Sequence, residues 1–261
     1  MTYRINQYRE VVIVALLAIL FCGDSPSPGV LTLRPMLAPT GSIRGRVTFN
    51  GPLPQLATAK CITPEVCGRT HTYDRLLVGK DKGVRYSLIY LKNPPLGRTS
   101  PGQPRITQSN CSFQPHMIVA ARGSSIIFQN DDPVLHNCHA YSFIGSDRST
   151  AFNIAQPTKG QQSVEQLRKP GMLNIECDAG HTWMSAWVWV TDSPFAVVSD
   201  EHGEFSLDGI PPGTYTVVMW HEGWNTSGMQ DGRAVFSAPT LQERQIVVTA
   251  GGASNADFLL Q

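Results

Sequence analysis

Short runs in which apolar and polar residues alternate recur along the chain after residue 40, separated by turns rich in glycine and proline. Alternation with a period of two predicts β-strands with one buried face. Eight runs stand out, namely SIRGRVTF, VRYSLIYL, HMIVAARG, SIIFQN, AWVWVTD, EFSLDG, TYTVVMW and RQIVVTA. Only the stretch 161–168 is predicted to form a turn or two of helix. The pattern therefore predicts an all-β protein built from β-sandwiches.

Composition agrees with a folded protein and makes one class of partner improbable. The chain has 261 residues, of which 41% are hydrophobic, enough for one large all-β unit or two smaller domains. Its 21 basic and 20 acidic residues leave a formal net charge of +1, and no basic tract is visible. Nucleic-acid binding needs a clustered positive face, so no nucleic-acid partner is expected.

The N-terminal region has the layout of an export signal. Two arginines precede the apolar run Val11–Cys22, and a polar, proline-rich stretch follows it. Twelve apolar residues are few for a bilayer span, so 1–25 is interpreted as a signal peptide or membrane anchor and 26–40 as a linker. Cys22 lies in a sequence that resembles a lipoprotein box, which leaves lipid attachment open. We expect an exported protein of the periplasm or cell envelope.

Four residues of metal-ligand type occur in the middle of the chain. His136 follows a predicted strand that ends in Asn-Asp-Asp, and Cys177, His181 and Met184 share one loop between two predicted strands. Two imidazoles, one thiolate and a weak thioether are the ligand set of blue-copper electron-transfer sites. Imidazole nitrogen suits Cu(II) and soft sulfur suits Cu(I), so such a set serves both oxidation states. The sequence predicts a copper site.

Neighbouring residues have expected roles around this site, and one of them competes for ligation. His139 is the alternative to His136 as the first histidine ligand. Asn137 is expected to tie the two ligand segments together through hydrogen bonds, which tune such sites. Trp183, inside the ligand loop, is expected to dock a partner or to shield the metal. His116 is expected to have a structural role.

Two pairs of residues, one aromatic and one polar, are expected to stabilise the fold rather than to bind a metal or carry electrons. Trp187 and Trp189 share one face of a predicted strand and are expected to pack in the core or at a domain interface. His221 and Glu222 follow the run TYTVVMW, and we expect them to form a hydrogen bond between domains rather than a second metal site.

Two parts of the chain resemble known families. Residues 111–191 resemble a cupredoxin domain through the run F-x-P-x-x-I-x-V-x-x-G-x-x-I-x-F-x-N-D, the pair His136-Asn137 and the loop C-x3-H-x2-M. The segments 41–51 and 199–220 resemble a carboxypeptidase regulatory-like, or transthyretin-like, domain. The whole chain is similar to bacterial plastocyanin-like or methylamine-utilisation-type proteins in which the two domains are fused.

The resemblance implies a domain arrangement. A cupredoxin Greek-key sandwich at 105–191 would be inserted into a regulatory-like sandwich formed by 41–104 and 192–261, with Val84–Leu91 as its second strand. A linear order of an irregular N-terminal segment, a middle domain and a C-terminal domain is the alternative.

The same resemblance bears on the cysteines and on the metal count. It implies a disulfide between Cys67 and Cys111, because related proteins share P-E-V-C-G and a cysteine before F-x-P-H. Cys61 and Cys138 depart from the family pattern; they could pair with each other, or Cys138 could offer a second soft ligand, and three pairings stay open. Leu173 stands where a dinuclear purple copper centre has its second cysteine, which indicates one copper ion.

The favoured function is that of an exported mononuclear copper protein that carries single electrons between redox partner proteins, cycling between Cu(I) and Cu(II), with no catalysis of its own. Two alternatives stay open. The first is copper storage or delivery, with His139, His116 and Cys138 as additional ligands. The second is a structural β-sandwich interaction module.

Overall fold

The computed structural model describes residues 39–145 and 147–261, and β-strands dominate this part of the chain. The all-β sandwich prediction is confirmed. The predicted signal peptide or anchor, the candidate lipid site at Cys22 and nearly all of the linker lie outside the described residues. No helical segment within 39–145 or 147–261 has the length and apolar character needed to span a bilayer.

The strands are short and follow the predicted alternation closely. Before residue 105 the elements are β1 (Gly41–Phe49), β2 (Thr58–Lys60), α1 (Pro64–Cys67), β3 (Thr70–Thr72) and β4 (Leu88–Leu91). From 105 to 191 they are β5 (Arg105–Ser109), β6 (Ser112–Gln114), β7 (Met117–Ala121), β8 (Ser125–Asn130), β9 (His136–Ile144), β10 (Asp147–Gln156), β11 (Gln162–Gln166), β12 (Gly171–Glu176) and β13 (Ser185–Thr191). After residue 191 they are β14 (Ala196–Val198), β15 (Glu204–Ile210), β16 (Gly213–His221), β17 (Thr226–Gln230), β18 (Arg233–Phe236), β19 (Thr240–Val248), β20 (Ala253–Asn255) and β21 (Phe258–Leu260).

Strands β5 to β13 form two sheets around one core. The first has the order β10-β9-β12-β13-β7 and the second the order β11-β8-β5-β6. Inward-facing residues of both sheets, such as Ile126, Phe128, Ile175 and Val188, are fully buried in a common cluster. This sandwich places the end of β12 beside the start of β9, which positions the candidate site described below.

The remaining long strands form two further sheets around a second core. One has the order β15-β1-β20, with β21 also paired to β1, and the other has the order β14-β4-β16-β19. Ile43, Val217, Met219 and Phe258 are among the residues that fill this core. Strands β1 and β4 precede residue 105 and their partners follow residue 191, so the two segments combine in both sheets.

The two cores meet through a small apolar cluster and one buried carboxylate. Trp187 packs edge-on against Trp220, with ring centroids 5.1 Å apart, between Leu88 and Met117. Glu222 is buried beside them and accepts hydrogen bonds from Trp187 Nε1 (2.9 Å) and Arg75 Nη1 (2.7 Å), and it also contacts His116 Nε2. These contacts agree with the structural roles expected for His116 and Glu222.

Two predictions of local structure were wrong. The stretch 161–168 forms β11 rather than helix, because it pairs antiparallel with β8 over five residues and this ladder outweighs its weak helical pattern. The predicted strand Val84–Leu91 is regular only from Leu88, because Tyr86 has a positive φ of 66° that interrupts an extended conformation.

Candidate metal centre

The loop between β12 and β13 brings three candidate ligands, Cys177, His181 and Met184, to one end of the first sandwich. Cys177 directly follows β12, and the loop returns to β13 after Met184. Met184 N–H donates to His181 O (2.9 Å), and Cys177 N–H points to Met184 O (3.4 Å), so the loop folds back on itself. Gly180 has a φ of +84°, and a Cβ there would overlap the side chain of Ile62. The tight loop therefore requires glycine at this position.

Strand β9 supplies the fourth candidate ligand, His136. It begins at His136, immediately after a turn in which Asn130 Nδ2 donates to Val134 O (2.8 Å). Because side chains alternate along a strand, His136 and Cys138 face the core whereas Asn137 and His139 face the other side. Of the two candidate histidines, His136 is the one that lies beside Cys177 and His181.

Three donor atoms form a small buried triangle. His136 Nδ1 lies 3.1 Å from His181 Nδ1, and Cys177 Sγ lies 3.8 Å from the first and 3.7 Å from the second. All three side chains are fully buried, with exposures of 0%, 1% and 0% for His136, His181 and Cys177. The three residues form a group that could hold a metal ion.

The dimensions of the triangle match a trigonal metal site. Bonds of about 2.0–2.1 Å to nitrogen and about 2.3 Å to sulfur, in one plane, would give edges of about 3.5 Å and 3.8 Å. The N–S edges agree, and the N–N edge of 3.1 Å is slightly short. Met184 is 1% exposed and belongs to the same buried cluster as Cys177.

Burial keeps the donor groups neutral. It lowers the pKa of His181 to about 4, helped by the neighbouring His136. Burial also lowers the pKa of His136, although Asp132 opposes this shift. Burial raises the pKa of the Cys177 thiol, against the backbone N–H groups of Asn137 and Ala179. Two neutral imidazoles are thus ready to ligate, and a bound cation would displace one thiol proton.

Further contacts fix the orientation of the two imidazoles. His136 Nε2 lies 3.0 Å from Asp132 Oδ2, and His181 Nε2 lies 3.0 Å from Thr63 Oγ1. A ligand histidine needs such a partner on its second nitrogen. Asn137 Oδ1 accepts a hydrogen bond from Asp178 N–H (2.5 Å), which links β9 to the loop after Cys177.

An arginine far along the chain also holds the ligand loop. Arg233, at the start of β18, donates from Nη2 to Cys177 O (2.8 Å) and from Nη1 to Thr182 O (2.8 Å). Tyr73, which precedes the loop by about a hundred residues, donates from its hydroxyl to Thr182 Oγ1 (3.0 Å). Sequence reasoning missed Arg233, Tyr73 and Thr63, because each lies far from the loop along the chain and carries no motif.

A segment that precedes the first sandwich covers the site. We call residues 57–73 the cap; they contain the hairpin β2–β3 and α1. The predicted disulfide between Cys67 and Cys111 is confirmed and attaches the cap to the sandwich. His71 stacks on Trp183 with ring centroids 4.2 Å apart.

Trp183 itself lies under this cap. It is 5% exposed, and its Nε1 donates to Cys111 O (2.8 Å). Its indole also meets the ring of His181 edge-on, at 5.3 Å. Trp183 is therefore placed to shield the site, and it offers almost no surface to a docking partner.

The other predicted residues lie outside the triangle. His139 contacts Asp178 Oδ2 (2.5 Å) and Thr150 Oγ1 (2.7 Å) and is not part of the three-ligand group. Cys61 and Cys138 are free, so they do not form the pairing left open above. Cys138 is buried, and its thiol lies 3.4 Å from Gln108 Nε2.

Solved structures that are similar to part of this chain include cupredoxins and a copper enzyme. A purple cupredoxin from Nitrosopumilus maritimus is 18% identical, covers 34% of this chain and 100% of its own, and has a TM-score of 0.30. A copper-containing nitrite reductase from Thermus scotoductus SA-01 is 16% identical over 40% of this chain and 25% of its own, with a TM-score of 0.30. A reduced amicyanin variant is 11% identical over 40% of this chain and 98% of its own, with a TM-score of 0.29. No protein-family model and no curated protein matches the sequence.

Proposed function

We propose that this protein binds one copper ion and carries single electrons between redox partner proteins. His136 Nδ1, His181 Nδ1 and Cys177 Sγ would be the strong ligands, with Met184 as a weak fourth. The observation that supports this proposal is the buried triangle of these three atoms, with edges of 3.1, 3.7 and 3.8 Å. One thiolate and two imidazoles in this arrangement suit copper that alternates between Cu(I) and Cu(II).

The protein's own groups would keep the site rigid and dry. Copper, when bound, supplies the one-electron redox change. Backbone pairing of β9 with β12 fixes His136 relative to Cys177, and Arg233 holds two carbonyls of the ligand loop. A site whose ligands cannot rearrange needs little reorganisation when an electron arrives or leaves. The cap excludes water from His181.

Burial also favours a carrier over an enzyme. All three strong ligands have exposures of 0–1%, and a metal enclosed to this degree would suit electron transfer better than reaction with a small substrate. The proposal includes export to the periplasm or cell envelope, based on the N-terminal sequence, and attachment to the membrane through that region would be compatible with it. The redox partner would be another protein.

Copper storage or delivery is less well supported. That alternative uses His139, His116 and Cys138 as additional ligands. The structure engages these side chains elsewhere: His139 with Asp178, His116 with Glu222, and Cys138 with two glutamines. Among the described residues, none of the three belongs to a group that could hold a metal.

An anaerobic Cu(II) titration followed by visible absorption and EPR tests the proposal. We expect an intense thiolate-to-copper band that saturates at one copper per chain. Cys177→Ala should abolish it. Cys138→Ala is the matched control, because Cys138 is also a buried free thiol of the same core and should leave the band in place.

Two outcomes would contradict the proposal. The first is a protein that folds but shows neither the band nor a copper EPR signal. The second is a band that survives Cys177→Ala, which would place the copper elsewhere. Circular dichroism of each variant establishes that the fold is retained.

A further inference from the structure

Three sulfur atoms lie close together where the cap is attached to the first sandwich. Cys67 and Cys111 form the disulfide, and Cys61 is a free cysteine six residues before Cys67. Cys61 Sγ, Cys67 Sγ and a ring nitrogen of His181 all lie within 4.8 Å of one another. A free thiol this close to a disulfide has the arrangement that thiol–disulfide exchange requires.

Thr63 brings the free thiol and the disulfide together. Its N–H donates to Cys61 Sγ (3.3 Å), and its hydroxyl lies 3.5 Å from Cys61 Sγ and 3.2 Å from Cys67 Sγ. Both sulfurs therefore lie against one small side chain at the start of α1. The hairpin of the cap has only three residue pairs, so few backbone hydrogen bonds oppose a shift that would close the remaining distance.

The three cysteines differ in their access to solvent. Cys111 is 0% exposed and Cys67 is 8% exposed, so a thiol from solution cannot readily reach either sulfur of the disulfide. Cys61 is only partly buried. Of the three cysteines, Cys61 is thus the one that an external thiol could reach, and exchange with the buried disulfide would proceed through it.

We propose that Cys61, Cys67 and Cys111 form a thiol–disulfide exchange site in which Cys61 is the attacking and solvent-accessible thiol. The Cys61 thiolate attacks Cys67 Sγ; a Cys61–Cys67 bond forms, the Cys67–Cys111 bond breaks, and Cys111 leaves as a thiolate that takes up a proton. This step needs no external oxidant or reductant, because one disulfide and one thiol are present before and after it.

A small external thiol completes a net reduction. Its thiolate attacks Cys61 of the new disulfide, forming a mixed disulfide with Cys61 and releasing Cys67 as a thiolate. A second external thiol then displaces Cys61 and leaves as the oxidised small-molecule disulfide. Two external thiols are oxidised, and the protein disulfide is reduced to two thiols. The class of substrate is therefore a low-molecular-weight thiol such as glutathione.

The site lies directly behind the candidate metal centre. Cys67 Sγ is 3.5 Å from His181 Nε2. Cys111 Sγ, a ring nitrogen of His136 and a carboxylate oxygen of Asp132 lie within 4.8 Å of one another. One sulfur of the disulfide thus lies near His181, and the other lies near His136. Exchange itself does not depend on copper, so it can be tested without it.

Disulfide mapping of the metal-free, full-length protein tests this inference. The protein is incubated under native conditions with reduced glutathione, alkylated at intervals with iodoacetamide, digested without reduction and analysed by mass spectrometry. In the wild type we expect peptides that join Cys61 to Cys67 or to glutathione, together with alkylated Cys111. Cys61→Ser should slow the loss of the Cys67–Cys111 peptide by about tenfold or more, and Cys138→Ser should behave as the wild type.

Equal rates of reduction in the wild type and in Cys61→Ser would overturn the inference. So would a wild type in which only Cys61 is alkylated while Cys67–Cys111 persists. If Cys61→Ser fails to fold, the wild-type map alone decides. As a second check, Cys111→Ser treated with oxidised glutathione should form Cys61–Cys67. Because no copper is present, a failed copper titration and a failed exchange are separate results.

Discussion

At the scale of single residues, each candidate histidine ligand uses both of its ring nitrogens. His181 Nδ1 faces the triangle while Nε2 meets Thr63 Oγ1, and His136 Nε2 meets Asp132 in the same way. A neutral imidazole has one donor and one acceptor nitrogen. The Asp132 carboxylate therefore favours the His136 tautomer in which Nδ1 can bind a metal, and the Thr63 hydroxyl can accept from His181 Nε2 in the equivalent tautomer.

Removing the hydroxyl of Thr63 should weaken copper binding. Thr63→Val keeps the shape of the side chain but leaves His181 Nε2 without its 3.0 Å partner. We expect copper affinity to fall by about ten- to a hundredfold, the usual effect of losing such a contact. Competition titration with a chelator measures it. Thr58→Val, at an exposed position of the same cap, is the control, and an equal effect in both variants would refute the assigned contact.

Arg233 should stabilise the fold through the ligand loop. Arg233→Met retains much of the side-chain volume but leaves Cys177 O and Thr182 O without their 2.8 Å donors. A loss of about 1–3 kcal/mol in the free energy of unfolding is expected, measured by urea denaturation. Arg122→Met removes only an exposed ion pair with Asp192 and should change little. If Arg233→Met left the free energy of unfolding unchanged, the arginine would not be needed to satisfy these carbonyls.

At the scale of elements, the cap depends on its covalent link. Its two strands have three residues each, and its helix has four, so they have little stability of their own. The disulfide joins the end of α1 to the start of β6 across 44 residues. We therefore expect this link to contribute more than the hydrogen bonds within the cap to holding it over His181.

Removing the disulfide should therefore destabilise the protein. For a separation of 44 residues, the chain-entropy model gives about 4 kcal/mol, and native disulfides in small domains typically contribute about 2–5 kcal/mol. The double variant Cys67→Ser/Cys111→Ser should lose stability in this range, as determined by urea denaturation. The single variant Cys61→Ser, in the same cap, is the control. A double variant as stable as the control would mean that the cap is held by other contacts.

At the scale of the whole molecule, one carboxylate connects the two cores. Burial alone would raise the pKa of Glu222, but the charges of His116 and Arg75 and the hydrogen bonds from His116 and Trp187 lower it to about 2. The folded-state pKa therefore lies below the value near 4.5 of an unperturbed glutamate. Stability from this group is fully present above about pH 4.5 and is lost as the pH falls towards 2.

Glu222→Gln should destabilise the protein near neutral pH by about 3 kcal/mol, because it leaves Arg75 without its buried partner. The difference from the wild type should shrink as the pH is lowered from about 4.5 towards 2, where the wild-type carboxylate also loses its charge. Thermal unfolding across this pH range measures both effects. Glu243→Gln, which removes an exposed pair with Lys92, is the control. A pH-independent difference would contradict the ionised state of Glu222.

The sequence by itself determined the features that depend on neighbours along the chain. Alternation of apolar and polar residues marked most strands, because the pleat repeats every two residues. The spacing of Cys177, His181 and Met184 indicated the ligand loop, because a loop this short keeps its members together whatever surrounds it. The resemblance of the whole chain to the fused plastocyanin-like proteins implied the Cys67–Cys111 pair, which the structure confirms.

Only the tertiary structure decided the contacts between distant segments. The pleat of β9, fixed by its pairing with β10 and β12, turned His136 towards Cys177 and His139 away from it. Sheet order brought Thr63 and Arg233 to the ligand loop and Cys61 beside the disulfide. Residues 161–168 became a strand because β8 offered a partner. Such contacts depend on which strands pair and in what register. The local periodicity of the sequence does not specify which strands become partners.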